Sequence, residues 1–199
     1  ELTELGRQRQ ELVAARPGAV EEEAAAQPAV GAARVTLEAK RALGTVDGVE
    51  FPLVALSAYY AAASAMTGED PTCGVQWWAV AGIARVEGHH GTFGGAALDP
   101  MGDATKRIIG IPLDGTNETQ VITDSDRGAL DGDPVYDRAV GPMQFIPQTW
   151  ARFASDGNGD EVASPFNLYD AALASARYLC RASRGLDADP GLRTAYFSY

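Results

Sequence analysis

The sequence predicts a mainly α-helical domain that carries one small β-hairpin and a long loop. Three segments have the residue pattern of buried or half-buried helices: an apolar run at residues 53–66, an apolar stripe at 75–86, and a helical repeat at 168–183. Residues 88–142 are rich in Gly, Asp and Pro, and loops of this length inside a compact domain are usually functional. The chain has 199 residues and 46% hydrophobic content, so it can bury one core of domain size.

Residues 1–47 differ from the rest in composition. They are rich in Ala, Glu, Arg and Gln, and Pro17-Gly18 and Pro28 interrupt them. Residues 1–15 and 32–43 have the length and residue types of exposed helices. We predict a helical N-terminal arm or stalk over residues 1–47, serving as a spacer or a coiled-coil contact, followed by a compact domain over residues 48–199.

The first two helices of the compact domain place a glutamate at the edge of the core. Pro52 fits the first turn of a helix over residues 53–66. In the next helix, small or apolar residues recur at the helical period, at Val75, Trp78, Ala79, Gly82, Ile83 and Val86. Glu87 follows Ile83 by one turn, so we expect it to be half-buried, which raises a carboxyl pKa towards the range of a general acid. The ordinary alternative is a helix-terminal glutamate in solvent.

The long loop contains a predicted hairpin. Residues 107–113 and 119–123 flank the turn sequence Asp114-Gly115-Thr116-Asn117. We expect this loop to form a wall or lid of a cleft.

Helices resume after the loop. We predict them at residues 147–154 and 168–183, where Leu168, Ala172, Ser175 and Leu179 share one face and Gly185 supplies the stop. A last helix begins after Asp189-Pro190 and is still running at Tyr199. We therefore expect the natural C-terminus to lie beyond Tyr199.

Charge and hydropathy narrow the class of partner. The 27 acidic and 16 basic residues give a formal charge of -11, which argues against nucleic acid or an anionic membrane surface as the main partner. The same net charge would repel an anionic polymer substrate unless the substrate cleft is locally neutral. The apolar run at residues 53–66 is too short to span a membrane. Without a charged-then-apolar leader, the protein is either cytoplasmic or has an export signal or anchor upstream of Glu1.

The chain has two cysteines, Cys73 and Cys180. Their spacing allows either two buried thiols or one disulfide. A disulfide would close a loop of about a hundred residues, is worth roughly 4–5 kcal/mol in the chain-entropy model, and is expected only outside the reducing cytosol.

Three separated segments resemble the lytic murein transglycosylases. They are Ile-Ala-Arg-Val-Glu-Gly-His-His-Gly at residues 83–91, Gly-Pro-Met-Gln-Phe-Ile-Pro at 141–147, and Ala-Tyr-Phe-Ser-Tyr at 195–199. In that family a catalytic glutamate ends a helix, a Gly-x-Met-Gln-Phe segment lines the sugar cleft, and an Ala-x-x-x-Tyr-Asn segment sets a tyrosine near the acid. The resemblance spans about residues 50–199 and is closest to the membrane-bound lytic transglycosylase B type. Two departures are Gly88, where many soluble relatives have serine, and the asparagine expected after Tyr199, which lies beyond this sequence.

The resemblance implies a lysozyme-like fold for residues 48–199 and a lyase acting on peptidoglycan. The enzyme would cleave the β-1,4 bond between N-acetylmuramic acid and N-acetylglucosamine and leave 1,6-anhydromuramoyl products, with Glu87 as acid and then base. Gln144 would bind the sugar or its acetamido group, Met143 and Phe145 would shape the cleft floor or belong to the core, and Tyr199 would orient Glu87.

The resemblance also implies a setting. Peptidoglycan strands lie outside the cytoplasmic membrane, so a Cys73–Cys180 disulfide is favoured there. We expect no nucleic acid partner, and possible contacts of the arm with a membrane anchor or with other cell-wall enzymes.

Two further motifs concern metals. His89 and His90 lack the companion ligands of a zinc site, so we expect them to line the cleft beside Glu87. The segment Asp-Gly-Asn-Gly-Asp at residues 156–160 has the residue types of the first half of a calcium loop, although Glu161 and Asn167 break the pattern. The B-type relatives carry a calcium loop at this place. The expected ligands are Asp156, Asn158, Asp160 and the Val162 carbonyl, with Ser164 or Asp170 completing the shell. A hydrated Asx turn is the alternative, and the chemistry itself needs no cofactor.

Two other functions stay open. A hydrolytic muramidase would need a second carboxylate, for which the loop acids Asp124, Asp126, Asp131 and Asp133 are the candidates. A glycan-binding scaffold would keep the fold without turnover.

Overall fold

A computed structural model describes residues 51–199, and the arm predicted at residues 1–47 lies outside these residues. The described part contains five α-helices and one two-stranded antiparallel sheet. The helices are α1 (Leu53–Glu69), α2 (Trp77–Gly88), α3 (Pro147–Phe153), α4 (Leu168–Ala182) and α5 (Asp189–Ser198), and the strands are β1 (Ile109–Pro112) and β2 (Arg138–Val140). The predicted mainly α fold with a small antiparallel element is confirmed.

The core forms where α1 packs against α4 and α2. Alanines on α1 and α4 are fully buried at this contact, among them Ala55, Ala58, Ala171 and Ala172. Because these side chains are short, the helices approach closely, and Tyr59 and other large residues fill the remaining space. None of the helices between residues 51 and 199 is both long and apolar enough to cross a membrane.

A disulfide joins α4 to the segment before α2. Cys73 and Cys180 are bonded, with their Cα atoms 5.3 Å apart and a separation of 107 positions in sequence. The expected pairing is confirmed. It connects residues on either side of the long loop, so it limits how far the unfolded chain can expand.

The buried face of α2 differs from the predicted stripe. Trp78 and Val86 are 43% and 78% exposed. The side chains that face the core are mostly small, namely Ala79, Val80, Ala81, Ile83 and Ala84. Short side chains on this face let α2 pack closely against its neighbours, and Trp78 lies on the exposed side. Ile83 is buried as expected, which leaves Glu87, one turn later, at the edge of the core.

The strand pairing also differs from the prediction. β1 pairs with β2 instead of with residues 119–123, which form only isolated bridges, Asp114 with Val121 and Thr123 with Tyr136. The connection between the paired strands β1 and β2 is therefore longer than predicted, and it ends at the fully buried Asp137. The Asp137 carboxylate accepts hydrogen bonds from the backbone N–H and the hydroxyl of Ser125. These hydrogen bonds hold the residue before β2 against the part of the long loop that contains Ser125.

Candidate active site

A pocket of about 180 Å³ opens between the end of α2, the sheet, and helices α3 and α4. Its lining combines one carboxylate with aromatic, apolar and amide side chains: Glu87, Leu113, Ala139, Gln144, Phe145, Ile146, Thr149, Tyr178 and Tyr199. The volume is below the roughly 300–1,000 Å³ of typical small-molecule sites.

Glu87 is the sole ionisable carboxylate among the described residues that line this pocket. It is half-buried at the penultimate position of α2, and burial raises the pKa of its carboxyl. Within residues 51–199, no hydrogen bond or ion pair reaches this carboxyl to offset the loss of water. The environment therefore favours the protonated acid more than water does.

The end of α2 is in close contact with the turn that carries Gln144. A Cβ atom added at Gly88 would lie 2.4 Å from the Pro142 carbonyl oxygen, so a side chain at residue 88 requires one of the two segments to move. His89 then takes a left-handed conformation, with φ 49°, and ends the helix. The glycine that replaces the serine of many relatives thus places Glu87 directly beside this turn.

The turn itself is held by backbone hydrogen bonds. Val140 and Phe145 exchange two N–H to C=O bonds of 2.9 and 3.0 Å around residues 141–144. A Cβ atom at Gly141 would lie 1.8 Å from the Pro165 carbonyl oxygen, so only glycine fits. Gln144 has a φ of 50°, and its Nε2 donates to the Gly141 carbonyl at 2.8 Å. Its Oε1 accepts no hydrogen bond from the described part of the chain, so that oxygen can accept one from a ligand.

The neighbours of Gln144 have different environments. The Met143 side chain is fully buried in the core, so it does not reach the pocket surface. Phe145 lines the pocket and packs edge-on against Trp150 and Tyr199. Of the two expected floor residues, only Phe145 faces the pocket.

Tyr199 supports the turn. Its hydroxyl donates to the Met143 carbonyl at 2.9 Å, and its ring contacts those of Phe145 and Tyr178. Burial raises the pKa of this phenol, and the nearby Glu87 charge raises it as well. The hydroxyl reaches the turn and not the Glu87 carboxyl, so any orienting effect of Tyr199 on Glu87 would act through the turn.

The two histidines do not line this pocket, contrary to the expectation. His90 is buried, its Nδ1 lies 2.9 Å from the Tyr59 hydroxyl, and its ring stacks on Phe51. Burial lowers its pKa to about 4. His89 is exposed and ends α2. Both residues therefore have structural positions in the segment that follows Glu87.

The loop acids hold their own loop together. Asp124, Asp126, Asp131 and Asp133 each accept hydrogen bonds from nearby backbone N–H groups. Asp133 also pairs with Arg138 at 2.9 Å. None of the four lines the pocket of Glu87.

In the predicted calcium loop, the carboxylates accept hydrogen bonds from backbone N–H groups of the same loop. Asp156 accepts from the backbone N–H of Gly159 and Glu161, at 2.7 and 2.8 Å, and Asp160 accepts from that of Val162 at 2.8 Å. Between residues 51 and 199, the one group of three carboxylates whose oxygens lie within 4.8 Å of one another is instead Asp124, Asp126 and Asp137. Asp156, Asp160 and Asp170 do not form such a group, and calcium binding by the predicted ligands stays a prediction.

Several pocket residues were not predicted. Leu113 directly follows β1, Ala139 lies in β2, and Ile146 and Thr149 follow the Met-Gln-Phe segment. Tyr178 lies on α4 next to Leu179, which was predicted on the buried face. Proximity in sequence to recognised motifs was the available signal for Ile146, Thr149 and Tyr178. Leu113 and Ala139 belong to the long loop that the sequence predicts as a cleft wall, but the loop pattern does not indicate which of its residues face the pocket.

One part of the chain matches a known protein family. Residues 118–189 match the model of the family described as the transglycosylase SLT domain. The matched segment includes Gln144, α3 and α4, and Glu87 lies outside it. Neither the curated proteins nor the solved structures gave a match. Over residues 118–189, the match supports the resemblance to the lytic transglycosylases and their lysozyme-like domain.

Proposed function

We propose that this protein is a lytic transglycosylase that cleaves the β-1,4 bond between N-acetylmuramic acid and N-acetylglucosamine in peptidoglycan, with Glu87 as acid and then base. The observation that carries the proposal is the half-buried Glu87 carboxyl with a raised pKa, in a pocket that it shares with Gln144. A raised pKa lets one carboxyl hold a proton near neutrality and later accept another.

The first step breaks the glycosidic bond. The Glu87 carboxyl gives its proton to the bridging oxygen as the bond from that oxygen to C1 of the muramoyl residue breaks. The carbonyl oxygen of the sugar's own 2-acetamido group bonds to C1 and carries the positive charge. Gln144 would bind the substrate through Oε1, which accepts no hydrogen bond within the described residues and would accept one from a sugar or acetamido group. Glu87 is left as a carboxylate.

The second step restores the acid. The Glu87 carboxylate takes the proton of the muramoyl 6-hydroxyl, O6 bonds to C1, and the bond between C1 and the acetamido oxygen breaks. The product is a 1,6-anhydromuramoyl end, and no water is consumed. Apolar and aromatic walls formed by Leu113, Ile146 and Phe145 favour this route, because they leave little room for a competing water molecule.

A hydrolytic muramidase is the alternative enzyme, and it has less support. Hydrolysis by two carboxylates requires a second acid across the sugar ring. Asp124, Asp126, Asp131 and Asp133 are engaged with their own loop and do not line the pocket. The Cys73–Cys180 disulfide supports a site of action outside the cytoplasm, where both disulfides and peptidoglycan are found.

Mass spectrometry of digested peptidoglycan tests the proposal. We expect fragments with anhydromuramoyl ends from the wild-type protein, and none from the Glu87→Gln variant, which keeps the shape of the side chain but has no titrating proton. Glu118→Gln is the matched control, because Glu118 is exposed and lies outside the pocket. Reducing ends would indicate a hydrolase, absence of release would indicate a binding module, and an active Glu87→Gln variant would refute the assignment of the acid.

A further inference from the structure

Strand β1 contains a glycine that adjoins the pocket of Glu87. A Cβ atom added at Gly110 would lie 3.0 Å from Gln144 Oε1, 3.4 Å from the Ala139 carbonyl oxygen and 3.5 Å from the Ala139 Cβ atom. Gln144 and Ala139 both line the pocket. The atom nearest to the missing side chain of Gly110 is therefore the amide oxygen that we assign to substrate binding.

The backbone of β1 does not require glycine at this position. Gly110 has the extended conformation of a strand, whereas Gly102 and Gly115, before and after it, have φ values of 91° and 84°. Among the described residues, the backbone atom nearest to an added Cβ is the Ala139 carbonyl oxygen, at the distance of an ordinary van der Waals contact. A glycine inside a strand weakens it and often marks a place where a ligand or another segment approaches closely. The close neighbour here is the side chain of Gln144.

The Gln144 amide is held at one end. Its Nε2 donates to the Gly141 carbonyl at 2.8 Å, and its Oε1 lies beside Gly110. A carbon atom 3.0 Å from this oxygen is tighter than an ordinary contact, so Oε1 would have to shift by a few tenths of an ångström. The amide ends a flexible side chain, so the amide would move and the strand would stay. A side chain at residue 110 would thus displace the acceptor and cover one side of it.

We propose that Gly110 is a positioning residue: the space left by its missing side chain keeps Gln144 Oε1 in place and accessible to a hydrogen-bond donor of an N-acetylated sugar bound beside Glu87. This inference rests on the proposed function, in which Gln144 binds the substrate. It assigns a role in substrate affinity to a residue of the long loop that has no polar side chain. A side chain at residue 110 weakens glycan binding and leaves the proton transfer at Glu87 unchanged.

Calorimetric titration measures the effect on binding without turnover. The ligand is a peptide-free tetrasaccharide of alternating N-acetylglucosamine and N-acetylmuramic acid, and every variant also carries Glu87→Gln so that the ligand stays intact. Gly110→Ala should weaken binding about fivefold, the size of one hydrogen bond between uncharged groups. Ile111→Ala is the matched control in the same strand. Because Ile111 is exposed and does not line the pocket, its replacement should leave the affinity unchanged.

A double-mutant cycle with Gln144→Ala shows whether Gly110 acts through the amide. Gln144→Ala should itself weaken binding. Gly110→Ala should cause no further loss in that background, because no Oε1 remains to be displaced. A merely structural role predicts an equal loss in both backgrounds. The melting temperature of Gly110→Ala should equal or exceed that of its parent, since alanine stabilises a strand relative to glycine.

Unchanged binding in Gly110→Ala would overturn the inference, as would a loss of the same size with and without Gln144. The cleavage assay separates these outcomes from the proposed function. In a protein that keeps Glu87, Gly110→Ala should raise KM and leave both kcat and its pH dependence unchanged. Anhydro products released by Gly110→Ala with the KM of the wild type would contradict the positioning role alone. Coupled binding losses in a protein that releases no anhydro products would support the positioning role and contradict the lyase function.

Discussion

At the scale of single residues, the environment of Glu87 predicts a dependence on pH. Burial raises the pKa of the Glu87 carboxyl, and the first step needs its protonated form. We expect kcat/KM to fall as pH rises through this raised pKa. The measurement is the rate of release of anhydro products between pH 4 and pH 9. A rate that falls only at the pH of an ordinary, solvent-exposed glutamate would contradict the assignment.

The same raised pKa has a consequence for stability. The folded protein holds the Glu87 proton more tightly than the unfolded chain does, so this residue lowers stability as pH rises from the unfolded pKa through the folded one. Glu87→Gln should therefore unfold at a higher temperature than the wild type at pH 7, and the difference should shrink near pH 4. Glu118→Gln should show no such change, because Glu118 is exposed.

At the scale of elements, the contact between α2 and the Gln144 turn determines the pocket. The Gly88→Ala variant places a Cβ atom 2.4 Å from the Pro142 carbonyl oxygen. We expect it to lose about 1–3 kcal/mol of stability and much of its activity, since the turn must move away from Glu87. Urea unfolding and product release measure the two effects.

Gly68→Ala is the matched control for that contact. Gly68 lies in the last turn of α1, and nothing would be within 4 Å of its added Cβ atom. Alanine there should be neutral or stabilise the protein by up to about 1 kcal/mol. If Gly88→Ala were as stable as Gly68→Ala, the close contact that we describe between helix and turn would be wrong.

At the scale of the whole molecule, the disulfide holds α4 to the start of α2 across the long loop. Replacing Cys73 and Cys180 together by alanine should cost about 2–5 kcal/mol. Thermal melting with and without a reducing agent measures this. Reduction should lower the melting temperature of the wild type and leave that of the double variant unchanged. Equal melting of the reduced and oxidised wild type would show that the bond does not stabilise the fold.

Local patterns in the sequence were sufficient to predict where the helices lie. The apolar run at residues 53–66 corresponds to α1, and the helical repeat at 168–183 corresponds to α4, whose amphipathic period records which face is buried. The position of Glu87 at the edge of the core followed from Ile83 one turn earlier. The family resemblance, carried by ordered motifs, supplied Gln144 and the pairing of Cys73 with Cys180.

Contacts between segments distant in sequence were decided only by the tertiary structure. The partner of β1, the burial of Met143 and the hydrogen bond from Tyr199 to its carbonyl all join residues far apart in the chain. The period of apolar residues indicates which face of a segment is buried, but not which other segment packs against that face. The amino-acid sequence by itself thus determined the helices and the candidate acid, whereas packing determined which side chains surround that acid.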